Sequence, residues 1–360
     1  MHRRGRTRRD LHGALHVAGP AWFVRCGGGG PGVALSGGVA DVIYRKLGGI
    51  DVSVFALGAA NFGGIGSSRK LLGQGETEAE AHALLDRAVA LGINLIDTAG
   101  TYADGASEAI IGAWLASRGA SMRDRVLISS KVGLRGGLGR KHVFAEVDRS
   151  LARLRVDTLD FYLAHVPDPA TPWDDVLDTF QSLVRAGKVR RFGLSNVTAS
   201  DLWRCAAPRS GGPVGFGWVQ NRFNLLEQDD AQNGVLESCA KLGLQYTPYS
   251  PLAGGLLSGR YSIAGDIPEG TRIGQRRDLY AKAWTPENAA RVEQLKMKAA
   301  AHSLSPSGLA TWWLVHCPFV TSILVGARSP EQLEQLVTEA SDLPANDDLW
   351  RSLSAPSIQE

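Results

Sequence analysis

Four side chains that could move or orient a proton follow successive short apolar runs of this 360-residue chain. They are the carboxyl of Asp97, the phenol of Tyr102, the amine of Lys131 and the imidazole of His165. A lysine cation beside a tyrosine favours the phenolate, so it lowers the pKa of the phenol from about 10. A carboxylate keeps that lysine charged, and an imidazole hydrogen-bonds a tyrosine or carbonyl oxygen. Together the four groups would form a tuned general acid, suited to protonating a carbonyl oxygen while hydride reaches its carbon.

Each of these residues also has an ordinary structural role open to it. Asp97 could cap the next turn, and Tyr102 could be a loop aromatic. Lys131 could be a surface charge, and His165 could be a core histidine whose nitrogens are hydrogen-bonded. Their occurrence at consecutive strand ends, in compatible roles, favours a functional site.

Short apolar runs alternate with amphipathic stretches from residue 42 onward. The runs predict strands at residues 54–59, 94–98, 126–131, 160–165, 189–195, 217–220, 244–250 and 321–327. Helices are predicted to begin near Thr77, Ser107, Val143, Trp173, Ala199, Asp229, Pro286 and Ser329. Because helical crossovers join parallel strands, eight such units predict a single (β/α)8 TIM barrel of the α/β class, preceded by a short hairpin. A doubly wound sheet is the alternative, but no glycine fingerprint follows the first strand.

The carboxyl ends of the strands form the active site in a barrel of this kind. Besides the four residues above, this rule selects polar or small residues that follow the other strands. They are Gly58, Asn61, Ser195, Asn196, Gln220, Tyr249, Ser250, Gly326 and Arg328. Residues 253–286 lack a sustained pattern, and so long a loop is typical of a functional lid.

Composition excludes several classes of protein. No apolar run is long enough for a membrane span, which needs about 18 residues. The net charge is +3, but residues 1–40 hold six arginines and one acid, so the rest of the chain is slightly acidic. We therefore expect no nucleic-acid partner. Four scattered cysteines suit a reducing compartment, which favours the cytoplasm. Twin-arginine export is the alternative, because residues 7–11 resemble such a signal.

The domain organisation follows from the same patterns. Residues 1–41 form a basic, glycine-rich arm that we expect to be poorly ordered. Residues 42–345 form the barrel, and residues 346–360 form a C-terminal tail. The two-domain expectation from length is therefore replaced by one domain with extensions.

The motifs around the four proton-transfer candidates resemble those of the aldo-keto reductase family, in its bacterial and potassium-channel β-subunit-like branch. The similar segments are YRKLG at 44–48, GINLIDTAGTY at 92–102, ISSK at 128–131, DFYLAH at 160–165 and GKVRRFGLSN at 187–196. The resemblance runs from Tyr44 to about Thr338. It implies that Tyr102 is the general acid/base, that Lys131 and Asp97 tune it, and that His165 orients the carbonyl. Some members of the potassium-channel branch lack this histidine, so its presence favours an enzyme.

The resemblance also implies NADPH or NADP as cofactor, with NADH as an alternative. The cofactor-binding residues that it implies are Gly58, Asp97, Ser195, Asn196, Gln220, Tyr249, Ser250, Pro251, Leu252, Gly254, Ser258, Arg260, Gly326, Arg328 and Gln332. Tyr249 would stack on the nicotinamide, and Arg328 at a helix start would bind the 2′-phosphate. One departure is Leu336, where the family commonly has an asparagine that contacts adenine.

The predicted activity is reversible reduction of an aldehyde or ketone to an alcohol, without a metal. A nicotinamide-binding regulatory or partner-binding subunit on the same barrel is the alternative function. Phe62 and Trp173 could wall an apolar substrate pocket, and Arg272, Arg276 and Arg277 could meet an anionic substrate. The substrate is otherwise predicted only as a small carbonyl compound, and the oligomeric state is left open.

Overall fold

The computed structural model describes residues 42–205, 215–261 and 266–354. The predicted arm at 1–41, with its twin-arginine-like run, lies outside the described residues, as does the end of the tail at 355–360. Within the described residues, the chain forms an α/β barrel preceded by a hairpin.

Ten strands occur in the described part of the chain. They are β1 (Tyr44–Leu47), β2 (Ile50–Ser53), β3 (Phe55–Gly58), β4 (Leu95–Asp97), β5 (Leu127–Val132), β6 (Leu159–Ala164), β7 (Val189–Ser195), β8 (Trp218–Gln220), β9 (Gln245–Tyr246) and β10 (Ile323–Val325). The eight strands from β3 to β10 lie within the eight predicted runs or extend them by one residue. β1 and β2 form the predicted antiparallel hairpin.

Helices connect these strands and cover the outside of the sheet. They are α1 (Glu78–Ala90), α2 (Ala106–Arg118), α3 (Ala120–Arg123), α4 (Arg140–Leu154), α5 (Trp173–Arg185), α6 (Ala199–Cys205), α7 (Asp229–Gln232), α8 (Val235–Leu242), α9 (Arg272–Gln275), α10 (Arg277–Tyr280), α11 (Pro286–Ala301), α12 (Pro306–Val315), α13 (Pro330–Asp342) and α14 (Asp347–Ser354). Short 3₁₀ turns add Arg69–Leu71, Tyr102–Gly105, Ala253–Ser258 and Ala281–Ala283.

The main sheet is parallel and curls into a barrel. Its strand order is β10-β3-β4-β5-β6-β7-β8-β9, so each strand from β3 to β8 pairs with the next one in sequence, and β10 pairs with β3. The N–H of Thr321 donates to Tyr246 O at 2.8 Å, and the N–H of Leu324 donates to Pro248 O at 3.0 Å. These bonds join the last strand segment to the one after β8, which closes the ring.

Helix starts follow the capping chemistry of the sequence. Thr77 and Glu80 form a reciprocal capping box at α1. Ser329 caps α13 from its side chain, with Pro330 at the first helical position. These caps fix where the loops at the carboxyl ends of the strands stop and the helices begin.

Two layers of core hold the barrel. A small inner cluster fills the barrel near the hairpin, with Leu47 and Val52 packed on Phe161 and Trp218. The larger cluster lies between the strands and the surrounding helices. The hairpin therefore plugs the amino end of the barrel, which leaves the carboxyl end for the candidate site.

Two regions differ in detail from the sequence prediction. The described parts of the predicted lid, residues 253–261 and 266–285, contain only short helical turns, but α12 stands as a separate helix between α11 and β10. The predicted tail contains α14, whose Leu349 and Trp350 are buried against the large cluster. Burial of these two side chains explains why this part of the tail is helical rather than extended.

Candidate active site

The predicted proton-transfer residues converge at the carboxyl end of the barrel. Asp97 is the last residue of β4, Lys131 lies near the end of β5, and His165 directly follows β6. Tyr102 opens the 3₁₀ turn that follows β4. Because β4, β5 and β6 are neighbours in the sheet, their ends meet on one rim.

Asp97 and Lys131 form a buried ion pair at the centre of this rim. Each residue is 2 % exposed, and Lys131 Nζ donates to Asp97 Oδ2. Asp97 Oδ1 also accepts from Ser129 Oγ at 2.9 Å and from Gln220 Nε2 at 3.1 Å. Burial alone would favour the neutral amine, but the Asp97 carboxylate and the Tyr102 oxygen outweigh it, so the pKa of Lys131 lies above its usual value. Lys131 is therefore a fixed cation.

Lys131 also reaches the Tyr102 hydroxyl. Its Nζ lies 3.4 Å from Tyr102 Oη and donates to Thr98 O at 2.8 Å. The expectation of a lowered tyrosine pKa is wrong for this structure. Burial raises the pKa of Tyr102, the Lys131 charge acts in the opposite direction, and burial prevails. Tyr102 therefore holds its proton at neutral pH, as an acid must before it donates.

His165 stands beside Tyr102 as a neutral imidazole. The two rings meet edge to face, with centroids 5.8 Å apart. Burial, with a smaller effect from the Lys131 charge, lowers the pKa of His165 to about 3. Its Nδ1 is buried with no hydrogen-bond partner within the described residues. A neutral imidazole can donate one hydrogen bond to a carbonyl oxygen without adding charge.

Four predicted cofactor residues form a connected network on the next three strand segments. Ser195 Oγ donates to Gln220 O at 2.7 Å, and Asn196 Nδ2 donates to His165 O at 2.8 Å. The Tyr249 hydroxyl donates to Asn196 Oδ1 at 2.6 Å. Through Gln220 the network reaches Asp97. The structure therefore joins this predicted binding half directly to the proton-transfer half.

The segment after Tyr249 forms a tight, irregular loop. Ser250 and Ala253 have positive φ values of 57° and 48°, which non-glycine residues adopt at a cost of order 1 kcal/mol. Gly254 has φ 70°, and a Cβ there would lie 2.9 Å from ring atoms of Tyr280. Pro251 is buried and Leu252 is half-buried. A side chain at Gly254 would therefore collide with the Tyr280 ring, so the loop needs a glycine at this position.

The outer predicted residues of this loop lie further from the network. Ser258 Oγ donates to Gly255 O at 2.6 Å and accepts from the Arg260 N–H at 3.4 Å. Arg260 is exposed. The structure therefore does not join Arg260 to the network around Asp97.

The remaining predicted residues border the first and last strands of the barrel. Gly58 ends β3, pairs with Asp97 across the sheet, and lies against Val325 O. Gly326 follows β10, and a Cβ there would meet no atom within 4 Å, so the wall has open space beside it. Arg328 is exposed, and its N–H donates to Gln332 Oε1 at 2.8 Å. An open wall beside a guanidinium and the start of α13 fits a phosphate group.

Two side chains of the site, Arg222 and Arg272, were not predicted from the sequence or were given a different role. Arg222 lies over the rings of Tyr249 and Tyr280, at 5.7 and 5.2 Å from their centroids, and donates to Leu279 O at 2.7 Å. It thereby ties the lid to the barrel. Arg272 of the lid donates to Asn61 Oδ1, and its charge acts on Tyr102. Only the position of Arg222, two residues beyond Gln220, could have signalled its role.

The predicted apolar walls are occupied by internal packing. Phe62 is 2 % exposed and belongs to the large core cluster, so the prediction that it faces a pocket is wrong. Trp173 Nε1 donates to Asp201 Oδ1 at 3.3 Å, and its ring packs on Phe216. Arg276 pairs with Asp278, whereas Arg272 lies at the site.

The chain is similar to known proteins over most of its length. The profile of the Aldo/keto reductase family matches residues 55–355. The chain belongs to the aldo/keto reductase family. Its fold and motifs are therefore those of an oxidoreductase family.

Individual relatives span most of the chain. Protein tas of Escherichia coli K12 is 32 % identical over 345 residues, covering 85 % of this chain and 94 % of that protein. A putative voltage-gated potassium channel subunit beta of Schizosaccharomyces pombe is 29 % identical, covering 82 % and 88 %. L-glyceraldehyde 3-phosphate reductase of Escherichia coli O157:H7 is 30 % identical, covering 72 % and 79 %.

Across residues 42–205, 215–261 and 266–354, no helix combines the length and the apolar character that a bilayer crossing requires.

Proposed function

We propose that this chain reduces a small aldehyde or ketone to an alcohol, reversibly, with NADPH as cofactor. The proposal is carried by the position of Lys131 Nζ, which contacts both the Asp97 carboxylate and the Tyr102 hydroxyl. This arrangement places a fixed cation beside the Tyr102 phenol, where it can stabilise the negative charge that forms when the phenol loses its proton. It supports Tyr102 as the group that donates a proton to a substrate oxygen.

The chemistry of the chain's own residues follows from their protonation states. Tyr102 holds its proton, because burial raises the pKa of its phenol. As the proton leaves, the Lys131 ammonium stabilises the developing phenolate, and Asp97 keeps that ammonium in place. Neutral His165 donates a hydrogen bond to the same substrate oxygen and so orients the carbonyl. In the reverse direction Tyr102 accepts the proton from the alcohol.

The residues present fit a dinucleotide cofactor. Tyr249 offers an aromatic ring, Ser195, Asn196 and Gln220 offer amide and hydroxyl groups, and Gly326 leaves open space beside Arg328. When bound, NADPH would supply the hydride that the carbonyl carbon receives. Arg328 at the start of α13 would bind its 2′-phosphate.

One alternative function has an observation in its favour. A relative covering most of this chain carries the name of a potassium channel subunit beta, which indicates that this barrel can serve a partner protein. In that case the chain would bind the nicotinamide cofactor without needing turnover. The presence of His165 beside Tyr102 favours the enzyme.

The test is oxidation of NADPH by the purified protein with 4-nitrobenzaldehyde and a panel of further aldehydes and ketones. Wild-type protein should turn over at least one of them. Tyr102→Phe should lower kcat by about 10²- to 10⁴-fold, the range of a general acid, because the phenol proton is lost. Binding of NADPH, followed by its fluorescence, should change less than about threefold.

The matched control is Tyr44→Phe. This variant removes a hydroxyl that donates to Gly92 O. Tyr44 lies in the hairpin, at the opposite end of the barrel. The kcat of this variant should stay within about twofold of wild type. Cofactor binding without turnover on the whole panel would support the partner-binding alternative, and full activity of Tyr102→Phe would show that Tyr102 is not the acid.

A further inference from the structure

Glu76 is a buried carboxyl group that the proposed reaction does not use. It lies in the loop after β3, one residue before Thr77, the N-cap of α1. The loop folds back on itself, because Gly63 N donates to Glu76 O and Glu76 N donates to Asn61 O, both at 2.8 Å. The residue is 6 % exposed, and its Oε2 is buried without a hydrogen-bond partner in the described structure. Such a group costs the fold free energy unless a ligand satisfies it.

The charged groups that act on Glu76 come from three directions. Arg272 belongs to the lid, Arg328 follows β10, and Glu80 lies in the first turn of α1. Burial dominates over both arginines and raises the pKa of Glu76 to about 7. The carboxyl group therefore exists in both protonation states near neutral pH.

Arg272 connects this carboxyl to the reactive centre. It donates to Asn61 Oδ1 in the loop that carries Glu76, and its charge also acts on Tyr102 and Tyr280. Arg328, in contrast, follows two residues after Gly326, where a Cβ would meet no atom within 4 Å. The helices α1 and α13 pack beside each other through the ion pair of Arg87 with Glu334. Glu76 directly precedes the N-cap of α1 and Arg328 directly precedes the N-cap of α13, so both lie at the rim where the proposed function places the 2′-phosphate.

Acidic side chains and arginines bind different substituents of an adenosine ribose. A carboxylate accepts a hydrogen bond from the ribose 2′-hydroxyl of NADH, whereas an arginine binds the 2′-phosphate of NADPH. This chain presents both kinds of group together. A carboxylate beside a phosphate would repel it, but a protonated carboxyl can donate a hydrogen bond to a phosphate oxygen.

We propose that Glu76 determines which adenosine ribose this site accepts: protonated, it binds a 2′-phosphate with Arg328, and ionised, it favours a 2′-hydroxyl. The inference rests on the proposed function in needing a nicotinamide dinucleotide, but it requires no turnover. Its consequence is a cofactor preference that depends on pH. Preference for the 2′-phosphorylated ligand falls as the pH rises above 7.

The direction of this pH dependence follows from the linkage between proton binding and ligand binding. A bound phosphate dianion raises the proton affinity of Glu76, so binding takes up a proton at and above pH 7. Affinity for the phosphorylated ligand then falls by up to about tenfold per pH unit for one linked proton. A phosphate monoester is itself mostly dianionic above pH 7, because its second pKa is about 6. Its own ionisation therefore adds little slope in that range.

The experiment is calorimetric titration of the full chain with adenosine 2′,5′-bisphosphate and, separately, with ADP, at pH 7.0, 7.75 and 8.5. We expect the ratio of the two affinities in wild type to fall by about five- to tenfold over this range. In Glu76→Gln the ratio should stay constant and should exceed the wild-type ratio at pH 8.5, because glutamine does not ionise. Titrations in two buffers of different ionisation enthalpy should show proton uptake in wild type that the variant lacks.

Glu78→Gln is the matched control. It removes one exposed carboxylate two residues further along, in the first turn of α1, and should keep the wild-type slope. Glu80 is unsuitable, because it completes the capping box with Thr77. Thermal unfolding of each variant checks that the barrel is intact.

The outcomes separate this inference from the proposed function. A pH-independent ratio in wild type, or the wild-type slope in Glu76→Gln, would overturn the role of Glu76 while leaving NADPH binding in place. An equal change of affinity for both nucleotides in Glu76→Gln would also overturn it, because that result indicates a structural role only. Failure of wild type to bind either nucleotide or NADPH would overturn the proposed function, and this inference with it.

Discussion

Two buried aspartates, Asp97 and Asp160, lie at opposite ends of β4 and β6, the two strands that flank β5. Asp160 lies near the start of β6 and is fully buried. It accepts from Arg123 Nη2, Arg190 Nη1 and the N–H of Ile128, each at 2.8 Å. Asp97 ends β4 and accepts from a buried lysine, a serine and a glutamine. Both carboxylates are saturated with donors, as buried charges must be.

The two aspartates differ in the exposure and the further contacts of the cations that they bind. The side chains of Arg123 and Arg190 are 29 % and 56 % exposed, so they link strands at the amino end to solvent. Lys131 is buried, and it continues to Thr98 O and to the half-buried Tyr102 hydroxyl. The same kind of carboxylate therefore stabilises the fold at one end and, in the proposed function, positions a proton donor at the other. This matches the division of labour between the two faces of such barrels.

Replacing Asp97 should have the largest effect on activity. Asp97→Asn leaves Lys131 buried without its counter-ion. We therefore expect the pKa of the Lys131 amine to fall and the amine to lose its fixed position beside Tyr102. The value of kcat should fall by about 10²-fold or more, and the free energy of unfolding should fall by about 3–5 kcal/mol. Steady-state kinetics and urea unfolding measure the two quantities.

A double variant separates these two losses. Asp97→Asn combined with Lys131→Met removes both charges, so much of the lost stability should return while activity stays low. Wild-type kcat in Asp97→Asn would contradict the positioning role of this carboxylate.

Replacing Asp160 should affect stability alone. Asp160→Asn removes the carboxylate shared by Arg123 and Arg190, and we expect a loss of about 3 kcal/mol. This loss of unfolding free energy is at the low end of the range for breaking a buried ion pair, because both guanidinium groups are partly exposed to solvent. Below the unfolding temperature, kcat should remain within about twofold of wild type. A tenfold fall in kcat of the folded variant would show that the two ends of the barrel are not functionally separate.

The sequence predicted the barrel well because its strands are short apolar runs bounded by turn residues. The pattern failed at α12, where Trp312 and Trp313 are both buried. A helix that is apolar on all sides has no polar face, so periodicity does not separate it from its neighbours. The helix α14 was missed for a related reason, since it is short and only Leu349 and Trp350 are buried.

The candidate site was predictable where a strand end fixes a residue, and less so where a loop does. Asp97, Lys131 and His165 were found from their position alone. The contacts of Arg222 with Leu279 and Tyr280 depend on how the lid folds back across the barrel, which no local pattern encodes. The direction of the Tyr102 pKa shift was also missed, because it depends on a balance between burial and the Lys131 charge that needs coordinates.

The smallest effect should come from His165, which follows the same strand that carries Asp160 near its start. Burial lowers the pKa of His165 to about 3 in the folded state, from 6.5 in an unfolded chain. Between these values the unfolded state binds more protons, so the free energy of unfolding falls as the pH falls below 6.5. The loss at pH 5 is about 2 kcal/mol from this residue.

A variant without a titrating side chain isolates that loss. His165→Gln should lose about 2 kcal/mol less than wild type between pH 7 and pH 5, as measured by urea unfolding at each pH. His82→Gln is the control, because it removes an imidazole from α1, outside the site. If His165→Gln and wild type lose the same free energy on acidification, His165 is not held neutral at pH 5, and the imidazole would approach a substrate carbonyl as a cation instead.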